Sequence, residues 1–488
     1  MAMAVKIYNN LTRSKMPLQT IEPGKIRFYS CGPTTYDFLH VGNARALVVG
    51  DLFHRVLSML GYKVNFVRNF TDVDDKIIQR AQDLGVPPLE HSAKFVEECK
   101  KDMDSLGMLP ATSTPKVSQS MPEIIEMIQS LMTKGFAYQA GGEVLYHVPA
   151  FKDQYGKLSK KDLDSLQHGV RVEVDQHKLH PSDFVLWKPA KEEEGAVWDS
   201  PWGKGRPGWH IECSAMAKKF LGESIDIHHG GIDLMFPHHE NEIAQSEAAN
   251  GCTFSHYWCH NEFLNFGTEK MSKSLGNVVT IREFINTFGG EILRQLLISV
   301  HYRSVMDWSE EVIARAISDV QRIHEFTKTV ASWSGVGTEQ VGLAEVTQAQ
   351  AKMQEEFAND FNIPGAMAHF FSVIRLVNRE YIAAGILPHA LLQDALKKLI
   401  EFTKQGTGLV HDDAHGALKN CKKALKALGG KDQLLTDSAV ETLLNERKIA
   451  RANKDWASAD RVRDQLSAAN IVVKDSPDGT VSWTYGKK

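Results

Sequence analysis

Cys31, Cys213, His238 and Glu242 are four soft-to-borderline metal ligands in a chain of 488 residues. His238 and Glu242 are four apart in Pro237-His238-His239-Glu240-Asn241-Glu242, so on a helix they share one face and can bind one ion. Pro237 suits the first position of that helix. The two cysteines could complete a tetrahedral Zn²⁺ site. The spacing is irregular, and the same residues also read as separate buried cysteines and a solvated helix face. His239 and Glu240, being adjacent, point to different sides and do not make such a pair.

A second cluster is cationic. Lys270-Met271-Ser272-Lys273-Ser274 places two cations and two hydroxyls in one short run between Gly267 and Gly276. The glycines would let the run move, and the lysines would neutralise a phosphate chain; an exposed basic loop is the plainer reading. A glycine-rich Walker loop is absent, so a nucleotide would have to be held differently. His40-Val41-Gly42-Asn43 lies where a strand gives way to a helix. A helix N-terminus offers backbone N–H groups and a positive dipole to phosphate. His40 and Asn43 can add side-chain donors, and Gly42, lacking a Cβ, admits a base or ribose close to the backbone. Thr71-Asp72-Val73-Asp74-Asp75-Lys76 lacks the glycine and distal glutamate of a calcium loop and reads as a capped helix start with acidic first-turn residues. Trp209, in Gly208-Trp209-His210-Ile211-Glu212-Cys213, fits a core tryptophan or the aromatic wall of a pocket equally well.

Several elements must position these groups. Residues 25–30 read as a strand ending at Cys31-Gly32-Pro33, about 43–60 as a helix stopped by Gly61, and 63–67 as the next strand. Such a βαβ unit predicts a parallel sheet with its ligand site beyond the carboxyl ends of the strands. From about 110 to 205, glycine, proline and charges become frequent, which predicts an insertion between two halves of the sheet domain. That stretch shows no constellation for hydrolysis, so no editing site is expected in it. Strand signals return at 225–228, with a helix starting near Pro237. From 309 to about 427 the pattern is helical, with Pro364 and Pro388 as breaks, which predicts a bundle. A last small unit follows, with helices near 440–454 and 457–469 and a hairpin over 471–485 turning at Asp478-Gly479.

At roughly 100–200 residues per domain, this length predicts about three or four domains. Hydrophobic residues at 43% and charged residues at 24% are ordinary globular values, which excludes bulk disorder and disulfide scaffolds. The net charge of −4 excludes a uniformly basic chain, so nucleic-acid contact must come from local patches. Residues 397–431 form one, with eight lysines against Glu401, Asp412 and Asp413. Six cysteines without a Cys-x-x-Cys pair predict a reducing compartment. With no secretory core and no membrane-length apolar run, a soluble cytoplasmic protein is expected.

Taken together, the motifs resemble the bacterial cysteinyl-tRNA synthetase family of class I aminoacyl-tRNA synthetases. The resemblance rests on Cys31-Gly32-Pro33-Thr34, His40 to Asn43, Thr71 to Lys76, Gly208 to Met216, Gly230-Gly231-Ile232-Asp233 through Glu242, Lys270 to Ser274, and Arg451 to Asp464. It departs at Asn43, where the class motif has a second histidine, so phosphate there would be stabilised by hydrogen bonding alone. The resemblance implies an α/β fold: a Rossmann-like parallel-sheet catalytic domain (1–109 and 206–308) with a connective insertion (110–205). A tRNA-binding helical bundle (309–428) and a small α+β anticodon-binding domain (429–488) would follow. It implies one Zn²⁺ on Cys31, Cys213, His238 and Glu242. Catalysis would fall to His40, Asn43, Lys270 and Lys273, with His40, Gly42, Asn43 and Lys273 on ATP and its Mg²⁺. Gly32, Thr71, Trp209 and Asp233 would meet the amino acid or adenylate. L-cysteine, ATP and tRNA(Cys) would be the partners of a monomer. A cysteine ligase acting on an amino sugar would share this core, but would not need the long C-terminal region. A binding protein that had lost catalysis would not need His40 and Lys273.

Overall fold

The computed structural model describes residues 4–161, 177–266, 279–410, 413–428, 437–469, 471–475 and 481–485. Two compact units form, one from residues 2–104 and 109–263, the other from 105–108 and 264–488. The division falls inside 206–308, the stretch read as the second catalytic half.

The first unit begins with the antiparallel pair β1 (Lys6–Asn9) and β2 (Ser14–Pro17). Then come β3 (Lys25–Ser30), α1 (Val41–Met59), β4 (Lys63–Arg68), α2 (Asp75–Leu84) and α3 (Pro88–Ser105). Helix α4 (Met121–Thr133) leads to β5 (Ala137–Ala140), β6 (Glu143–Tyr146), β7 (Phe184–Pro189) and β8 (Gly205–Pro207), an antiparallel sheet in that order. Helix α5 (Trp209–Leu221), β9 (Ile225–Gly231), α6 (Glu240–Asn250) and β10 (Ser255–Asn261) complete the unit.

The site-bearing sheet has the order β10-β9-β3-β4, with every pairing parallel. The chain runs outward from β3 to β4, and later from β9 to β10 on the other side. The crevice at the carboxyl ends of β3 and β9 is therefore a topological switch point. Every residue of β9 is buried, as expected of a central parallel strand. Its polar members break the apolar rule with reason. Asp226 accepts the backbone N–H groups of Ile21 and Arg27, both at 2.7 Å, His228 belongs to the site, and His229 Nδ1 meets Ser30 Oγ at 3.0 Å. The antiparallel sheet is tied to α2 by Arg206, whose Nη2 lies 2.9 Å from Asp75 Oδ1, and by Lys188, 2.7 Å from Asp75 Oδ2.

In the second unit β11 (Leu264–Phe266) pairs in parallel with β12 (Met306–Trp308), across α7 (Ile281–Phe288) and α8 (Gly290–Ile298). Helices α9 (Glu310–Ser332), α10 (Leu343–Ala358), α11 (Ile363–Val377), α12 (Ala390–Thr407) and α13 (Ala414–Ala427) follow, α10 packing on α11 and α9 on α13. Pro364 opens a helix instead of breaking one. It stands in the first turn of α11, where its missing N–H costs nothing. Helices α14 (Asp437–Ala452) and α15 (Trp456–Ala468) and the antiparallel strands β13 (Ile471–Asp475) and β14 (Val481–Tyr485) surround Val440, Leu443, Leu444, Val462, Leu466 and Ile471. The expected turn at Asp478-Gly479 lies outside the described residues. Among the described residues no helix is long and apolar enough to cross a membrane.

Candidate metal centre and active site

Four local decisions bring the ligand candidates together. Cys31 leaves β3 with its N–H donating to His229 O on β9, at 3.1 Å. Cys213 lies in the second turn of α5, whose start at Gly208 is buttressed by Gly208 N–H donating to Leu186 O, at 2.9 Å. His238 sits just before α6 and Glu242 in its first turn. Helical backbone begins just after Phe236, near Pro237 as the sequence suggested, and runs as a looser helical turn into the regular α-helix at Glu240. Phe236, preceding the proline, is extended (φ −141°, ψ 131°), which the proline ring favours. The i,i+4 relation survives: His238 Nε2 is 3.0 Å from Glu242 Oε1.

Donor atoms of Cys31, Cys213, His238 and Glu242 all lie within 4.8 Å of one another. The two sulfurs are 3.8 Å apart. A disulfide would need ~2.05 Å, whereas two thiolates on one tetrahedral zinc at ~2.3 Å each stand about 3.8 Å apart. Glu242 Oε1 is 3.7 Å from Cys31 Sγ, while Oε2 is held by His228 Nε2 at 2.9 Å. His238 Nδ1 meets His210 Nδ1 at 2.9 Å, so the carboxylate and the imidazole are each oriented from behind, as metal ligands usually are.

The charges fit a dication. Burial pushes the Cys31 thiol well up, as does Cys213, to which it donates. That donated bond, against burial, brings Cys213 down to about 6. Burial opposes charge on His238, but Glu242 and Cys213 carry it up to about 10. Burial likewise opposes charge on Glu242, yet His228 and His238 hold it down to about 2. Near neutral pH the metal-free group therefore keeps protons on Cys31 and His238 and has a net charge of −1. Zn²⁺ with two thiolates and one carboxylate gives the same −1, so the ion can replace two protons without changing the buried charge. A second donor set, Cys31, His228, His239 and Glu242, overlaps the first. It is the poorer one, because the ionised Glu242 requires the proton of His228 on the facing Nε2, which leaves that atom no lone pair for a metal.

The other expected site residues are placed as follows. Trp209 is 41% exposed and stacks on His238, ring centroids 4.3 Å apart, so it walls the cleft and is not core. Thr71 is buried beyond β4, and Thr34 bridges to it in parallel. Asp233 is exposed on the turn Ile232–Leu234 that follows β9. Asp74 caps α2 by accepting Lys76 N–H at 2.8 Å, and Asp72 is occupied by Ser118, so this run is a helix start and not a cation loop. His40 and Asn43 form a capping box on α1: His40 Nδ1 accepts from Asn43 N–H (3.3 Å) and Asn43 Oδ1 from His40 N–H (3.2 Å). Capping thereby sets polarity, placing the ring proton of neutral His40 on Nε2 and leaving Nδ2 as the donor end of Asn43. Gly42 is in the first turn of that helix. Lys270 and Lys273 lie outside the described residues.

Sequence reasoning missed the imidazoles behind the ligands. His239 Nε2 is 3.4 Å from Cys31 Sγ and its Nδ1 is 2.8 Å from His260 Nε2. Burial, followed by the neighbouring imidazoles, keeps His239 and His260 neutral, the latter down to about 3. The available signal was density, since seven of the 20 histidines fall between 210 and 260. Glu240, as expected, faces away from His239 and accepts the N–H groups of Gly156 and Ser159.

Gly32 is required by close approach. A Cβ there would lie 1.6 Å from the carbonyl oxygen of Asn69, so β3 and β4 would have to separate just under the metal ligands. Gly32→Ala should destabilise the first unit by about 3 kcal/mol or more, read as a lowered Tm. An unchanged Tm would mean that the strand ends are not held this tightly.

Comparison with known proteins agrees with this geometry. Residues 17–318 match the family described as tRNA synthetases class I (C) catalytic domain, and residues 436–483 match the cysteinyl-tRNA ligase anticodon binding domain. The chain is 45% identical to a cysteine–tRNA ligase of Geotalea uraniireducens, covering 99% of this chain and 100% of the relative. It is also 45% identical to one of Bdellovibrio bacteriovorus, with the same coverage. In fold it is similar to a Mycobacterium tuberculosis methionyl-tRNA synthetase solved with methionyl-adenylate (TM-score 0.61, 14% identity, covering 83% of this chain and 96% of that one). It is likewise similar to an Agrobacterium radiobacter LeuRS in a ternary complex (TM-score 0.60, 12% identity, 86% and 87%).

Proposed function

Since this chain belongs to the cysteine–tRNA ligase family of class I aminoacyl-tRNA synthetases, we propose that it joins L-cysteine to tRNA(Cys) through a cysteinyl-adenylate. The cysteine carboxylate attacks the α-phosphate of ATP and pyrophosphate leaves. A ribose hydroxyl of the terminal adenosine of the tRNA then takes the cysteinyl group. The attacking carboxylate is ionised at neutral pH, so the first step needs no general base. Alignment and cancellation of phosphate charge carry it.

The observation that supports cysteine as the substrate is the donor set of Cys31, Cys213, His238 and Glu242. One zinc held there would supply a thiophilic Lewis acid for the substrate sulfur. Trp209 walls the amino-acid side of the cleft, and Gly32, Thr71 and Asp233 line it. At the start of α1, His40 Nε2–H, Asn43 Nδ2 and the backbone beside Gly42 donate to ATP. Lys270 and Lys273 would neutralise the phosphates, with Mg²⁺ accompanying the nucleotide. Exposed Lys397, Lys398, Lys419, Lys422 and Lys423 on α12 and α13 suit a tRNA backbone, and Lys404 and the sequence neighbours Lys426 and Lys431 extend the same basic run. Exposed Arg451, Trp456, Arg461 and Arg463, with Arg447, suit unstacked bases of the anticodon. We place the reaction in the cytoplasm and assign it to a monomer.

The test is cysteine-dependent ATP–pyrophosphate exchange beside charging of total tRNA, on the full chain and on a chain ending at residue 436. The full chain should do both. The shortened chain should keep exchange and lose most charging, because α14 and α15 gather around a small core of their own. Exchange without charging by the full chain would favour the amino-sugar ligase, and no cysteine-dependent exchange would end the reading.

A further inference from the structure

Within the second unit, one arginine is clasped between a ring of the helical bundle and a ring of the C-terminal hairpin, and the reaction as described does not use it. Arg322 lies on α9, and only 11% of its side chain is exposed. Its Cζ stands 4.7 Å from the ring centroid of Phe371 on α11 and 5.5 Å from that of Trp483 on β14. A planar guanidinium has a face for each ring, and its charge is attracted to the π-electrons of both. The attraction grows when water is excluded, as it largely is here.

Both sides of the clasp are held from behind. Arg322 Nη1 lies 3.7 Å from Asp319 Oδ1, and the other oxygen of that carboxylate accepts from Gln295 Nε2 on α8 at 3.0 Å. Trp483 Nε1–H donates to Glu441 Oε1 on α14 at 3.0 Å, and the indole packs against the small C-terminal core. The clasp therefore joins two bodies that are each stiff at the point of contact. Helix α14 also packs on the helical turn Asn378–Ile382 that follows α11. One contact would leave a pivot; two contacts at separate places remove it. An RNA gripped at two places is held tightly only if the grips are spaced to match it, because the second contact then forms as an intramolecular event at high effective concentration. The grips here are the exposed lysines of α12 and α13 and the exposed arginines of α14 and α15.

We propose that Arg322 is a positioning residue for tRNA recognition, fixing through Trp483 the pose of the C-terminal helices and hairpin on the bundle. The proposal rests on the reading of both surfaces as tRNA contacts and adds what holds them in register. Arginine is required here for its plane and not only for its charge. A lysine ammonium is a compact point charge and cannot lie flat between two rings.

The experiment compares cysteine-dependent ATP–pyrophosphate exchange with charging of tRNA(Cys), both by the zinc-loaded full chain. Arg322→Lys and Trp483→Leu should each raise the KM for tRNA about 10-fold, the loss of one shielded cation–π contact. In both, kcat should change less than about 2-fold and exchange should be unaltered, because the lost interaction serves binding and not the chemical step. Trp483→Phe keeps a π face and should retain most of the wild-type KM. The double variant Arg322→Lys with Trp483→Leu should be no worse than either single one, since both remove the same contact. Additive losses would make the two side chains independent, and a parallel fall in exchange would make Arg322 a support of the whole fold. Either result overturns the proposal, as does an unchanged KM. If Arg322→Lys does not fold, the contrast between Trp483→Leu and Trp483→Phe decides the matter. Wild-type chain that exchanges pyrophosphate but does not charge tRNA would overturn the parent reading as well, whereas normal charging that is indifferent to both residues overturns this proposal alone.

Discussion

Removing zinc, or replacing Cys213 by Ser or His238 by Ala, should raise the Kd for L-cysteine by roughly 100-fold or more, about 2.7 kcal/mol, while the weak binding of serine changes far less. Cysteine and serine differ only in sulfur against oxygen, and a pocket that judges shape discriminates poorly between such close analogues. Under the proposed function, the metal centre would judge chemistry instead. A thiol becomes a thiolate readily and suits Zn²⁺, whereas a serine hydroxyl is harder to deprotonate and a poorer match. Two thiolates and a carboxylate moderate the acidity of the ion, which further disfavours an alkoxide. Cobalt substituted for zinc offers a readout independent of turnover, because added cysteine should produce a sulfur-to-metal absorption band and serine should not. A folded, metal-free protein that still strongly prefers cysteine would defeat the assignment. His238 is the more telling position. It touches Glu242 at 3.0 Å and His210 at 2.9 Å and lies under Trp209, so its loss disturbs both the ligand set and the cleft wall.

Lys273→Ala should slow single-turnover formation of the adenylate about 30–1000-fold, equivalent to about 2–4 kcal/mol, with the Kd for cysteine changed much less. A lysine in a glycine-flanked segment can close on charge that develops on the phosphates, so its contribution is larger in the transition state than in the ground state. In the proposed ATP site, the α1 terminus would donate through backbone N–H groups, His40 and Asn43. With asparagine where a second histidine would stand, that end adds no second titratable cation, which leaves more of the charge neutralisation to Lys270 and Lys273. Unchanged single-turnover adenylation would remove Lys273 from the reaction.

The ranges of β3, α1 and β4 were readable in the sequence to within about two residues, and the pair of terminal helices with their hairpin to within about three. Each is determined locally: Gly61 ends α1, Asp74 caps α2, and alternation marks the strands. The residue types of the metal centre were also visible, since His238 and Glu242 share a helix face whether the helix begins at Pro237 or at Glu240. Cys31 and Cys213 could be named as candidates from residue type, but spacing favoured separate buried thiols, and it took the family resemblance to assign the four ligands to one zinc. Bringing together sulfurs 182 residues apart was the work of the parallel crossovers, which set the end of β3 beside β9 and lay α5 across them. Local pattern carries no record of such a meeting, because a strand's period says which face a residue takes and not which distant residue faces it. For the same reason the sequence left Trp209 balanced between core and wall until its ring was found stacked on His238. Beyond the crowding of histidines between 210 and 260, it gave no sign that His210, His228, His239 and His260 stand behind the ligands, or that Asn69 links Gly32, Cys213 and Thr71. Those contacts exist only where strand ends converge, and tertiary packing alone decides which buried polar atoms are paired there and which are left to meet a ligand.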